Sequence, residues 1–441
     1  MPALLQRHYR TVILTCCFLV LFVNQGLPAT SFNVYQTYIV ELPGVGAVGG
    51  SAVLTARAFV SLAVMPAVTP LYRRFDARYG VLAATLCTAA GFAVYGTFPT
   101  LTGLIAGSVL TGAGYGLGGM VATTLILGRW FEGGLGTAAG FIGMGSGAAS
   151  FLVPTLAAEV IERAGLSAAF YGEAALAAVC ALVFVVLLRS DPAQLGLEPY
   201  RAQPRRAARR TRTAPATPDD RDGDSCAPDA AGASPGCRRE PCHAVSRPDL
   251  PRAEKRLMMA AMTLLGGVAI TGFGYFSVLL TSSGVSPLAA AAITSVGGAC
   301  LALGKLACGW TFDKAGTRGG TLVFFAILIV GLILCATVGL GGQTEGFFAA
   351  VAYCTGIAVA TTGIAVWSLE LSSAASMLRN VRDFNLAYAA GGFVFNMMPG
   401  PLMQVTGTYA VTYVVLTAFA LASALIIAVI YTRRARSVLG E

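Results

Sequence analysis

The chain has 441 residues, of which 56% are hydrophobic and 12% charged, with a mean hydropathy of +0.70. A soluble domain carries about 25% charged residues, and a soluble protein of this size could not hide so much apolar surface. These values exclude a soluble enzyme, a disordered chain and a nucleic-acid-binding domain. The formal charge of +9 comes from basic residues gathered in short tracts between apolar runs, as a membrane topology requires.

A spanning helix needs about 20 mostly apolar residues. Runs of that kind lie near 11–33, 50–72, 80–98, 103–127, 135–158, 168–188, 257–280, 288–311, 320–340, 346–370, 384–405 and 409–431. They are too long for strands and lack period-two alternation. The first follows Arg7 and Arg10 and runs on past Pro28 without a small-residue cleavage site, so it reads as a retained helix. The fold expected is an all-α membrane protein with twelve transmembrane helices, six in 1–188 and six in 257–432, ending in a tail at 433–441. Between the halves, residues 189–256 hold 24 of the 51 charged residues. That segment reads as a disordered linker drawn to the membrane surface.

Lys and Arg set the orientation. With twelve spans, one side collects Arg7, Arg10, Arg73, Arg74, Arg78, Arg129, the fourteen basic residues of the linker, Lys314, Arg318, Arg379, Arg382, Arg433, Arg434 and Arg436. The other side holds Arg163 alone, a 27-to-1 bias. The basic side and both termini are therefore expected in the cytoplasm, and the protein in the cytoplasmic membrane. The linker carries Cys226, Cys237, Cys242 and His243. Their donors suit zinc, but their spacing matches no finger pattern, and they read as chance residues. Cysteines inside the spans, such as Cys16, Cys87 and Cys335, read as small buried hydrophobes.

The eighth span ends in Gly309-Trp310-Thr311-Phe312-Asp313-Lys314-Ala315-Gly316-Thr317-Arg318. This G-x-x-x-D-K-x-G-x-R tract resembles the signature loop of the major facilitator superfamily. Physically, Asp313 is placed to accept charge-assisted hydrogen bonds, while Lys314 and Arg318 anchor at headgroups. The first half echoes it at Arg73-Arg74-Phe75-Asp76-Ala77-Arg78-Tyr79-Gly80, although the family usually has an acid near position 73 and a glycine near 76. Arg129-Trp130-Phe131-Glu132 precedes a span with Gly136, Gly140, Gly143, Gly145, Gly147 and Pro154. That tract, Asp191-Pro192, and Gly196-Leu197-Glu198-Pro199 are similar to bacterial carriers of the monocarboxylate and oxalate/formate branch. The glycines permit close helix approach, and Trp130 is expected at the membrane interface.

The resemblance implies two six-helix bundles related by a pseudo-twofold along the membrane normal. It also implies alternating access, with Asp313, Lys314, Arg318, Arg73, Arg74, Asp76, Arg78 and Arg129 as gating residues. The chain departs from that branch in lacking a cation in 384–405 and a lysine after Pro28.

Ionisable residues inside spans cost about 2.5–3.5 kcal/mol on insertion scales, so each is a functional hypothesis. Arg57 lies roughly 13–15 Å from the outer end of the second span and Lys305 roughly 10 Å from the inner end of the eighth, at 1.5 Å per residue. Glu173 is expected to reach outward to the surface from the sixth, and Glu370 to pair with Arg379 or Arg382. Two central cations without a central carboxylate favour an anion. Asn24 and Gln25 interrupt the first span beside Gly26 and Pro28. Tyr115, Tyr275 and Asn396, with Thr111, Thr271, Tyr353 and Tyr388, supply further polar groups in other spans.

The expected substrate site is Arg57, Lys305, Asn24, Gln25, Tyr115, Tyr275 and Asn396, for a small organic anion such as a mono- or dicarboxylate. Protons or a counter-anion would be the coupling partner, and the protein a monomer without cofactor or nucleic acid. A drug or cation exporter of the same fold is the alternative. A membrane sensor or enzyme fits less well, because the spans contain no metal-protease, phosphate-loop or Ser/His constellation.

Overall fold

The computed structural model describes residues 2–131, 135–198, 200, 249–373 and 376–439. Cys226, Cys237, Cys242 and His243 lie outside the described residues, as do Glu132 and Pro199. In hydrocarbon every backbone N–H and C=O must be satisfied within its own segment, so apolar runs of this length wind into helices.

The first half has six helical traverses. The first runs Pro2–Leu21, widens to a π-helix over Phe22–Ser31 around Pro28, and resumes as Asn33–Ile39. The second is Gly46–Arg74 and the third Ala77–Thr97. The fourth is Leu101–Gly118 continued by Met120–Trp130. The fifth is Leu135–Ala164 and the sixth Leu166–Leu187.

The second half repeats the pattern. The seventh traverse starts at Arg252–Gly266, is π-helical over Gly267–Thr271, and continues through Gly272–Gly274 and Phe276–Ser282. The eighth, ninth and tenth run almost without interruption through Pro287–Gly356 and Ala358–Leu371. Gly316 (φ 71°) and Gly342 (φ 61°) break this stretch into three, because a left-handed residue ends a helix at little cost only when it is glycine. The eleventh is Met377–Phe395 with Pro399–Thr406, and the twelfth Ala410–Leu439. Among the described residues the helices thus make twelve traverses, matching the twelve apolar runs of the sequence. The π-helical breaks fall in the first traverse of each half.

Close helix pairs repeat as well. A Cβ on Gly26 would lie 2.3 Å from Ala149, and one on Gly145 2.3 Å from the Phe18 carbonyl, which seats the first traverse on the fifth. In the second half a Cβ on Gly266 would meet the Tyr388 carbonyl at 1.9 Å and one on Gly391 the Thr263 carbonyl at 1.8 Å. The seventh and eleventh traverses are seated the same way.

The polar segment is folded at both ends. Residues 192–195 form a 3-10 turn capped by Asp191. The Tyr200 N–H donates to the Trp130 carbonyl at 2.8 Å, and Arg10 lies 3.8 Å over the Tyr200 ring. Trp130 is buried rather than interfacial: its indole N–H donates to the Arg189 carbonyl at 2.9 Å. At the far end Asp249 accepts from the Ser373 N–H and the Ser376 hydroxyl.

Candidate functional site

The two halves are tied together at the charge-poor end. The Tyr275 hydroxyl donates to Ser51 Oγ at 2.6 Å, and Ser51 Oγ also accepts from the Gly400 N–H at 2.8 Å. Asn396 Nδ2 reaches the Leu54 carbonyl at 3.5 Å. Asn33 donates to the Phe273 carbonyl, Thr37 to Ser277, and Thr155 bonds Ser295 at 2.8 Å. Further along, a Cβ on Gly298 would meet the Ser150 carbonyl at 2.5 Å, and one on Gly147 would meet Ala302 at 2.8 Å. One to two turns nearer the basic end the pattern stops, and among the described residues a Cβ on Gly140, Gly143 or Gly309 would meet nothing within 4 Å. The fifth and eighth traverses part there. The cleft between the halves is sealed at the charge-poor end and splayed toward the basic end.

Arg57 sits beside the break in the first traverse. It is 6% exposed, donates from Nη1 to the Pro28 carbonyl, and lies 5.3 Å from the centre of the Phe32 ring. Pro28 has no N–H to continue the helical hydrogen-bond ladder, and the π-helical turn around it presents the Pro28 carbonyl to the guanidinium. The hydroxyls of Tyr95, Tyr115 and Tyr275 are its electrostatic neighbours. Gln25 Nε2 donates to the Tyr115 hydroxyl at 3.4 Å, and both side chains are partly open.

Lys305 comes from the other half. It follows Gly298 and Ala302 by seven and three residues, so helical spacing puts it on the same face, one turn past the last close contact. Its side chain is partly accessible, and among the described residues it makes no hydrogen bond or ion pair. Among the described residues Arg57 and Lys305 share no bonding partner.

Three other expected contacts are placed differently. Asn24 is fully buried against the third traverse: its amide donates to Thr85 Oγ1 at 3.0 Å and its carbonyl accepts from Thr88 Oγ1 at 2.9 Å. Its capacity is spent on packing, and it does not line the cleft. Tyr275 and Asn396 are buried in the seal itself, and among the described residues Asn396 Oδ1 has no partner. Glu173 does not reach the surface. It is 6% exposed and accepts from the Tyr35 hydroxyl at 2.6 Å. No periodicity marks this facing, because apolar residues stand on every side of the sixth traverse around Glu173. A separate cavity of about 290 Å³, bordered by Thr37, Glu41, Thr281 and Tyr409, lies outside the seal.

The loops at the basic end differ from one another. Asp76 caps the third traverse, accepting from the Arg78 N–H at 2.9 Å, from Gln194 Nε2 at 2.9 Å and from the Ser190 hydroxyl. Burial alone would raise its carboxyl, but these hydrogen bonds and the Arg78 charge outweigh it and hold the group below its ordinary range. Arg129 donates to the Tyr72 carbonyl at 3.0 Å, and Arg74 packs over Phe75 at 5.9 Å. The side chain of Arg73 lies outside the described residues.

In the second half Asp313 is exposed and, among the described residues, has no hydrogen-bond or ionic partner. In this arrangement of the halves no donor among the described residues reaches it. Lys314 packs over Trp310 at 4.1 Å. Arg318 donates to the Tyr431 carbonyl at 3.0 Å, and the Tyr431 hydroxyl donates to Glu370 at 2.9 Å.

The Major Facilitator Superfamily model matches residues 13–394. No curated relative matches the sequence. Solved transporters share the fold at low identity. A bacterial homologue of the human lysosomal transporter Spinster, in an inward-facing and occupied conformation, is 14% identical with a TM-score of 0.66, covering 96% of this chain and 97% of its own. A POT family transporter in complex with 5-aminolevulinic acid is 13% identical with a TM-score of 0.67, covering 96% of each chain. The nucleoside transporter NupG is 12% identical with a TM-score of 0.65, covering 96% of this chain and 99% of its own.

Proposed function

The chain belongs to the major facilitator superfamily, and from that membership we propose that it moves a small organic anion, a mono- or dicarboxylate, across the cytoplasmic membrane by alternating access. The observation that supports this is the charge of the cleft. Arg57 is bonded to a carbonyl and Lys305 to nothing, so neither transmembrane cation is neutralised by a carboxylate among the described residues. A cation held away from water without a counter-ion is costly. A carboxylate entering the cleft supplies the missing charge, with Gln25 and Tyr115 as neutral donors beside it.

The basic end is the cytoplasmic end on this reading, by the distribution of Lys and Arg, and the sealed end faces outward. The cleft is then open to the cytoplasm. Anion binding offsets the repulsion between the two cations and lets the halves approach, which gives substrate a higher affinity for the closed state. Exchange of one anion for another and symport with a proton both satisfy this scheme, and the transport unit is one chain.

The test is uptake by proteoliposomes of labelled mono- and dicarboxylates, with and without a pH gradient, beside cationic drugs as controls. Saturable uptake of a carboxylate is expected. Uptake confined to cationic compounds would overturn the proposal in favour of an exporter.

A further inference from the structure

Glu173 has surroundings that packing alone does not explain. It lies seven residues into the sixth traverse, roughly 10 Å from the charge-poor end. Oε1 accepts from the Tyr35 hydroxyl at 2.6 Å, while Oε2 is buried and, among the described residues, has no partner. Phe170 stacks on Tyr35 at 4.5 Å, and Phe32 and Tyr95 close the enclosure at 6.4 and 5.2 Å from Phe170.

The groups that face it from neighbouring traverses are few. The first presents Tyr35. The third presents Tyr95, whose hydroxyl is taken by Ser108 and Thr111. The fifth has Glu159 and Arg163, paired with each other at the exposed end, and Glu162 beyond them. Among the described residues no cation bonds Glu173. A carboxylate here would keep one hydrogen bond for about four lone-pair sites, without a counter-charge. The enclosure suits the neutral acid and penalises the ion.

Tyr35 stands on the short helix Asn33–Ile39, beyond the π-helical break at Phe22–Ser31. Arg57 grips the base of that helix through the Pro28 carbonyl and Phe32. Asn33 and Thr37 tie its length to the seventh traverse. The helix that covers Glu173 is therefore held by the anion-site cation at one end and by the opposite half along its side.

We propose that Glu173 binds and releases a proton that travels with the anion, and that Tyr35 is its latch. This rests on the anion-transport reading. An anion at Arg57 competes with the Pro28 carbonyl, and parting of the halves at the charge-poor end removes the tethers at Asn33 and Thr37. The helix then turns Tyr35 off the carboxyl and admits water. The O–H bond at Oε2 breaks and the proton passes to water, leaving a carboxylate. Return of the proton and of Tyr35 reverses the step.

The test uses the full-length protein in liposomes. Dicyclohexylcarbodiimide reacts with protonated carboxyls, and peptide mass spectrometry locates the adduct. Labelling of Glu173 at acidic pH that fades at alkaline pH is expected, and Tyr35→Phe should carry it to higher pH by removing a donor to the carboxylate. With the carboxylate returned by the uptake screen, Glu173→Gln should lower the ratio of pH-gradient-driven uptake to anion exchange by about tenfold or more. An unchanged ratio, or no pH-dependent labelling of Glu173, would overturn the proposal. If Glu173→Gln fails to fold, the Tyr35→Phe labelling profile decides. If no carboxylate is transported, the anion reading fails on the uptake screen and labelling alone judges the proton site.

Discussion

Asp76 shows how one residue of a signature loop acts in this chain. It closes the N-terminus of the third traverse and ties it to Ser190 and Gln194 just past the sixth. Asp76→Ala should cost about 1 kcal/mol, the usual value of an N-cap, read as a lower melting temperature at neutral pH. The folded pKa is depressed, so this stability is complete above the unfolded value of about 3.9 and is lost as pH falls through the folded value. The melting difference between parent and variant should therefore shrink below about pH 4. A difference that stayed constant into strong acid would mean the carboxylate charge is irrelevant to the cap. Tyr275 makes a second prediction at this scale. Tyr275→Phe keeps the ring and removes the bond to Ser51, so it weakens the seal by about 0.5–1.5 kcal/mol, the net worth of a hydrogen bond. A cysteine introduced at Thr37 should then react faster with a membrane-impermeant thiol reagent from the charge-poor side. An unchanged rate would show that Tyr275 does not hold the seal.

At the scale of elements, the glycine contacts decide which helices lie together. Gly391 has no room for a methyl group, because the Thr263 carbonyl stands 1.8 Å from where a Cβ would be. Gly391→Ala should destabilise the second half by about 1–3 kcal/mol, as overpacking does, with a lower melting temperature as the readout. A melting temperature equal to the parent's would show that the seventh and eleventh traverses have slack. The elements themselves were legible in the sequence, because a bilayer demands about 20 apolar residues per crossing and each crossing met that length. What was hidden is the facing of residues within a crossing. Asn24, Glu173 and Trp130 all sit on helices apolar on most sides, so no periodicity told packing face from cleft face. Asp313 was hidden for another reason: its expected partners depend on how the halves stand, and a sequence motif does not encode one state of a cycle.

For the whole molecule, the proposed anion site joins two cations from opposite halves, Arg57 and Lys305. Arg57 and Lys305 were legible because charge is rare in the spans, whereas the direction in which the cleft opens came only from the contacts that stop between Gly147 and Gly143. The most direct measurement is carboxylate counterflow in proteoliposomes carrying Arg57→Gln, Lys305→Gln or Lys305→Arg, each first shown by gel filtration and melting to insert and fold as the parent does. Both glutamine variants should lose counterflow, and Lys305→Arg should retain part of it, since its charge survives while its geometry changes. Counterflow at the parental rate in both glutamine variants would contradict the account and leave the two cations with a structural role.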